Sequence, residues 1–306
     1  MRGHFILLIY LLAPILSSSQ STEIDSMRQL LPSQTAAERL NTLLSLSFQF
    51  FEFSVEDAHH YALKALAEAR KIKNRPGEKH ALTLIGEYHH KIRNSPKAHE
   101  FLRKADKISL KEGGNLYTAY NYVIRANIYL EESQSDSARV CFQTAFKLLE
   151  KESHYKIKYY CYFCYSSYLF DQNQLDEAKK ILEGLYIDAV KNHAVSNQVA
   201  LLTQLAAIGN KKDEYKKADA YLMKAKPLLP KISYSYVKFN FFYHLAHIEY
   251  NKGDYIAAIT QLKSVLSIKE IAQYEDIKAD MAALSGNIYV AQGELDLALK
   301  SYLEAV

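Results

Sequence analysis

Alanine recurs at a fixed spacing of 40 residues through most of this chain, at Ala58, Ala98, Ala138, Ala178, Ala218, Ala258 and Ala298. No single helix or strand generates so long a period. It implies a structural unit repeated head to tail, each copy burying its apolar face against the next. Other columns keep the same register. Twelve residues before the alanine stands a small residue in six of seven units, Gly86, Ala126, Ser166, Ala206, Ala246 and Gly286, with Leu46 the exception. Four residues after it come Ala62, Leu102, Phe142, Leu182, Leu222, Leu262 and Tyr302, and three further on Ala65, Ala105, Ala145, Leu185, Ala225, Val265 and Ala305. Spacing of i, i+4, i+7 is one face of a helix. Only 10 Gly and 6 Pro occur in 306 residues, few for the turns of an all-β chain.

A unit with two such faces is a pair of antiparallel helices. They approach closely only where a contact lacks a bulky side chain. The small column and the alanine column are therefore expected to meet, with the longer apolar residues filling the groove to the next unit. Segments such as Asn74-Arg75-Pro76-Gly77 and Gly113-Gly114-Asn115 are expected to be linkers.

The unit from Met281 to Val306 carries Gly286, Tyr289, Gly293, Ala298, Tyr302 and Ala305. It resembles the tetratricopeptide repeat pattern L-G-x₂-Y…A-x₃-F, with Ser285 in place of Leu. Leu245, Ala246, Gly253, Ala258 and Leu262 match in the sixth unit, Ala126, Tyr129, Ala138, Phe142 and Ala145 in the third, and Pro230 stands where that family closes a repeat with Pro. The family's repeat is about 34 residues, so each unit here is longer. The resemblance covers residues 39–306 as seven repeats starting near 39, 79, 119, 159, 199, 239 and 279. It implies an all-α fold, a right-handed α-α superhelix: a solenoid of antiparallel helix pairs.

The N-terminus has a different character. Arg2 precedes a 12-residue apolar run, Phe5 to Leu16, and then small residues at Ser17, Ser18 and Ser19. This is the plan of a secretory signal, too short to span a bilayer comfortably. Residues 1–21 are expected to be a signal peptide, cleaved between Ser19 and Thr22, and 22–38 an N-terminal capping segment. The stretch Ile24 to Pro32 with the weak first repeat resembles the extracytoplasmic input region of bacterial tetratricopeptide-containing sensors. That resemblance implies an exported, periplasmic or membrane-associated chain. A membrane tether could come through the N-terminus or a segment outside this sequence. In such sensors a histidine kinase or helix-turn-helix output domain often follows.

Candidate chemistry is sparse. The net charge of +4 is spread along the chain, unlike the concentrated basic patch of a nucleic-acid binder. His59-His60 and His89-His90 are adjacent pairs whose members point about 100° apart on a helix, so neither is a preformed metal site, and exposed helical histidines are the default. Cys161-x-x-Cys164 lies inside a helix rather than at its N-terminus, and no second pair completes a zinc site, so buried small residues are the better reading. No phosphate loop, nucleophile elbow or zinc-protease motif occurs. No catalytic residue, metal or cofactor is expected.

The aromatic residues suggest more. Tyr162 and Tyr165 occupy core columns, whereas Tyr160, Phe163, Ser167 and Phe170 form a second stripe on the same helix. In the tetratricopeptide family this stripe of the first helix lines the concave groove. Carried along the repeat it comprises Tyr120, Val123, Asn127 and Leu130, then Thr203 and Asn210, then Asn240, Tyr243, His247 and Tyr250. Aromatics flanked by amides and a histidine suit an extended or helical peptide. The residues expected to line it are Tyr120, Asn127, Tyr160, Phe163, Ser167, Phe170, Thr203, Asn240, Tyr243, His247 and Tyr250; the alternative is that they bury against neighbouring helices. The function expected is a non-catalytic scaffold holding a protein or peptide, or else the sensory part of a membrane regulator. Finally, Leu295, Ala298, Leu299, Tyr302, Leu303 and Val306 share the apolar stripe of the last helix, where a further helix would be expected to cover part of it.

Overall fold

A computed structural model describes residues 18–51, 54–108, 114–150, 155–232, 235–266 and 275–305. Residues 1–17 of the expected signal peptide lie outside them. Among the described residues are 15 α-helices and no strand. After α1 (Ser18–Leu30) come α2 (Ala36–Phe50) with α3 (Val55–Lys71), α4 (Arg75–Lys91) with α5 (Ser95–Asp106), and α6 (Asn115–Glu131) with α7 (Ser135–Leu149). Then follow α8 (Tyr155–Asp171) with α9 (Leu175–Lys191), α10 (Val195–Lys211) with α11 (Tyr215–Ala225), α12 (Ser235–Asn251) with α13 (Tyr255–Leu266), and α14 (Glu275–Gln292) with α15 (Leu295–Glu304). From α4 onward the first helix of each pair opens at 75, 115, 155, 195, 235 and 275, the alanine period again. The chain divides within α9 into two compact units, residues 1–181 and 182–306.

In the first unit the helix starts follow local chemistry. Thr35 and Glu38 form a capping box at α2, each side chain bonding the other's backbone N–H. Ser54 accepts from the Asp57 N–H at 3.1 Å, Asn74 from that of Gly77 at 2.8 Å, and Asn94 from that of Lys97 at 3.2 Å. Pro76 and Pro96 sit in the first turns of α4 and α5, where no N–H is needed. Asn74-Arg75-Pro76-Gly77 is thus the cap and first turn of α4 rather than a linker.

The turn inside each pair is the same motif copied every 40 residues. Arg93, Ser133, Asn173, Asp213, Gly253 and Gly293 all have positive φ, from 57° to 82°. Each ends a first helix in the Schellman arrangement. For α4 the Arg93 N–H reaches the His90 carbonyl at 2.9 Å, and the Asn94 N–H that of His89 at 2.8 Å. Two helix-end carbonyls are satisfied and the chain reverses within three residues.

All seven alanines of the 40-residue column are buried. The close contact is one column away from the one expected. A Cβ on Gly86 would lie 2.7 Å from Leu102 Cδ2 and 3.5 Å from the Ala98 carbonyl, and one on Gly286 only 2.5 Å from Tyr302 Cε1. The small column therefore receives chiefly the apolar residue four after the alanine. The alanine itself meets Gly209, three residues beyond the small column, with Ala218 Cβ 3.2 Å from where a Gly209 Cβ would be. In the second unit Val199, Leu202, Leu222, Phe241 and Ile248 join one core with Ala206 and Ala218. Each large buried apolar side chain of this kind contributes about 1.5–3 kcal/mol.

Helix α1 docks on the first pair. Ile24 is buried, Arg28 Nε donates to the Tyr61 hydroxyl at 3.0 Å, and the guanidinium lies 4.8 Å from the Phe50 ring centroid. Helix α1 thus touches both helices of the first pair.

Candidate functional site

In the first unit the first helices α2, α4, α6 and α8 share one face. It holds a cavity of about 330 Å³. Leu44, Phe48, Tyr117 and Ile157 supply apolar walls, Asn41, Ser45, Gln49 and His80 polar groups, and Lys156 an ammonium. No carboxylate is among these lining residues. His80 stacks on Tyr117, ring centroids 4.1 Å apart and planes at 18°. Gln49 is buried and its Oε1 has no hydrogen-bond partner. A buried carbonyl left without a donor costs free energy that an incoming N–H recovers.

Behind the cavity lies a polar network. Tyr120 is fully buried, its ring 5.8 Å from Phe48 and edge-on to Tyr160 at 5.4 Å. Its hydroxyl donates to Glu87 Oε2. Burial raises the Glu87 pKa, partly offset by the Lys91 charge and by this bond, and raises that of Tyr120 well above the phenol range. One helix on, Asn127 Nδ2 donates to the Tyr160 hydroxyl at 3.4 Å, and Cys164 Sγ lies 3.9 Å away.

The expected groove residues fall into both units. Tyr120, Asn127, Tyr160, Phe163, Ser167 and Phe170 in the first, and Thr203 in the second, are buried rather than open to solvent. The reason is visible in the contacts just given: neighbouring first helices lie close enough for their stripes to interlock. Asn240, Tyr243, His247 and Tyr250 remain half-buried. There His247 sets its edge against Tyr243, centroids 4.7 Å apart. Burial lowers the His247 pKa to about 4 and raises that of Tyr243.

Sequence reasoning missed the second repeat's share of this face. Counting back 40 residues from Tyr120 and Asn127 gives His80 and Glu87, one lining the cavity and the other bonding Tyr120. It also missed α2, whose Leu44, Phe48 and Gln49 form a cavity wall in the repeat that matches least.

Of the paired histidines His60 is exposed as expected, whereas His59 is half-buried and His89 and His90 are buried. Among the described residues no group of three His, Cys, Asp or Glu is placed to hold a metal ion. Cys141, Cys161 and Cys164 are buried free thiols, and burial pushes Cys164 up to about 12. A second cavity of about 340 Å³ touches Lys79, Asp106, Thr118 and Thr144. Its buried Lys79 ammonium donates to the Ile108 carbonyl at 3.0 Å, just beyond the C-terminus of α5, where a cation is favoured. Among the described residues no helix is long and apolar enough to cross a membrane.

Residues 239–271 match the family model of the tetratricopeptide repeat. No curated protein matches the chain. Solved structures share its fold. A Rap protein complexed with competence and sporulation factor aligns with a TM-score of 0.69 at 14% identity, over 92% of this chain and 76% of the other. A signal transduction ATPase with numerous domains and a tetratricopeptide repeat sensor, from Pyrococcus horikoshii, gives a TM-score of 0.63 at 16% identity, over 91% and 47%. Aspartyl phosphate phosphatase F from Bacillus subtilis gives a TM-score of 0.58 at 14% identity, over 97% and 95%. The seven helix pairs are a tetratricopeptide-type solenoid fold.

Proposed function

We propose that this chain is a non-catalytic scaffold that binds a peptide or protein segment, and that the cavity on the first-helix face of its first unit receives part of that ligand. One observation carries the reading. Gln49 offers a buried, unpartnered carbonyl beside the apolar walls of Leu44, Phe48 and Tyr117. A peptide supplies both a backbone N–H for the carbonyl and a side chain for the walls. The Rap neighbour, solved with a bound factor, supports a binding role for the fold.

Selection from a displayed random peptide library tests this. Ser45 is exposed on the cavity's rim, so Ser45→Trp fills the opening without entering the core. Selected peptides should lose binding to that variant while its melting temperature holds. Peptides that bind Ser45→Trp as well as wild type would place the site elsewhere.

The chain is further proposed to be exported, with residues 1–21 removed as a signal peptide. Cleavage between Ser19 and Thr22 leaves Ile24 and Arg28, which dock α1, in the mature chain. N-terminal sequencing of protein recovered outside the cytoplasm checks this, and a full-length chain confined to the cytosol would refute it.

A second reading makes the chain a sensory input region of a larger regulator. It is favoured by the ATPase with a tetratricopeptide sensor, of whose length this chain spans 47%. Genomic sequence beyond codon 306 decides it: a kinase or helix-turn-helix domain in frame supports the reading, and an immediate stop codon removes it.

A further inference from the structure

The joint between the first two repeats of the first unit is packed with imidazoles. His59 of α3 lies flat on the Tyr88 ring of α4, centroids 3.9 Å apart and planes within 1°. The next residue, His89, turns its edge to His59 at 5.8 Å and stacks on Phe101 of α5 at 5.3 Å and 20°. Three helices thus meet through two imidazoles and two aromatic rings. His89 is buried, and its Nδ1 has no hydrogen-bond partner.

We propose that this seam is an acid-sensitive joint: in mildly acidic solution protonation of His59 and His89 loosens α3, α4 and α5 from one another, and with α4 the His80 wall of the cavity. An imidazolium must donate from both ring nitrogens. At His89 one of those donors is buried with no acceptor. Charging both rings also sets two cations side by side across the seam. Stacking on Tyr88 and Phe101 gives each cation some return, but neither ring supplies the acceptor that the buried Nδ1 of His89 lacks.

The surrounding charges do not reverse this. His59 faces His60, whose charge opposes its protonation. His89 faces Lys97 on α5, which also opposes, and Glu100, which favours the charged form. Glu100 is already held by Lys104 at 2.6 Å, and the Lys104 ammonium lies 4.4 Å from the Phe101 ring centroid. Burial first, and these charges second, depress both histidines below the ordinary value. His90 and His99 play no part in the proposal. They lie 3.6 and 3.7 Å from the carboxylates of Glu131 and Glu132, yet burial lowers both, His90 to about 3, so they add an acid loss of their own in α4 and α5.

The sign follows from linkage. A histidine depressed in the folded state contributes stability that is fully present above its unfolded value, about 6.5, and is lost as pH falls toward its folded value. The test compares hydrogen-exchange protection at pH 7.5 and 5.5 in the full chain, corrected for intrinsic rates. Wild-type protection in α3, α4 and α5 should fall by up to about tenfold for each depressed histidine between pH 7.5 and 5.5, with less loss elsewhere. His59→Phe/His89→Phe should reduce the loss to the part that His90 and His99 leave, and His60→Phe should leave it unchanged. The same acid loss in the double variant would overturn the proposal. Should that variant fail to fold, histidine ring-proton titration of the wild type decides: His59 and His89 must titrate below the ordinary range, and midpoints at or above it would also overturn the proposal. Neither readout depends on a bound ligand.

Discussion

The Tyr120 hydroxyl donates to the Glu87 carboxyl from the adjacent first helix, with both side chains buried. The pair joins the second and third repeats beneath the cavity, and each member would be costly alone. Tyr120→Phe leaves the Glu87 carboxyl without this donor and should cost about 1–3 kcal/mol in urea denaturation. Glu87→Gln keeps an acceptor and removes the charge. Because burial raises the Glu87 pKa, its contribution is fully present below the unfolded value and lost as pH rises through the folded one. Glu87→Gln should therefore be more stable relative to wild type at pH 8 than at pH 5. An equal difference at the two pH values would mean Glu87 is not held as described.

The repeated turn makes a separate prediction about backbone cost. Ser133 adopts φ 61° at the position where Gly293 adopts 82°. A side chain in the left-handed region costs about 1–2 kcal/mol, and glycine avoids it. Ser133→Gly should stabilise the protein by up to about 1 kcal/mol, and Gly293→Ala should destabilise it by a similar amount. Thermal melts of the two variants should move in opposite directions.

Close packing predicts where added volume is not tolerated. Gly286 faces the rigid ring of Tyr302, which a Cβ would approach within 2.5 Å. Gly86 faces the flexible end of Leu102. Gly286→Ala should therefore cost more than Gly86→Ala, and Tyr302→Leu should recover part of the loss. Ala218→Leu, pressed against Gly209, should cost about 1–3 kcal/mol. A silent Ala218→Leu in calorimetry would contradict the contact.

The leucines of α15 behave differently from their appearance in sequence. Leu295, Leu299 and Leu303 are 67%, 61% and 69% exposed. Counting back by the repeat period, the Leu299 column holds His59, His99, Arg139, Lys179, Asp219 and Ile259, and the Leu303 column Leu63, Arg103, Gln143, Glu183, Met223 and Lys263. In the earlier repeats the Leu303 column is exposed, whereas the Leu299 column is half-buried at every member but Arg139 and meets the following repeat, as where His59 stacks on Tyr88 and Lys252 donates to Asp219. Leu303 therefore stands on the outward face, whereas Leu299 stands at a position that meets the following repeat in the earlier units. Leu299→Lys/Leu303→Lys should change stability by no more than about 0.5 kcal/mol per site, whereas Tyr302→Lys, on the packed column, should unfold the last pair.

The 40-residue alanine column determined by itself the helix pairs, their order and their register. A period in sequence is a statement about side-chain direction on each helix, and direction repeats when the unit does. The Schellman turns were equally local, with Gly253 and Gly293 marking two of six. What the column could not carry was the distance between neighbouring first helices. That distance depends on how the side chains of two repeats interlock, and no spacing along the chain encodes it. It decided that Tyr120, Asn127, Tyr160 and Phe163 are buried in seams rather than open in a groove. It also brought Gln49, His80 and Tyr117 from three helices to one cavity. Glu87 became the partner of Tyr120 for the same reason: a stripe residue finds its chemistry in the neighbouring repeat, and only tertiary packing sets which atoms meet.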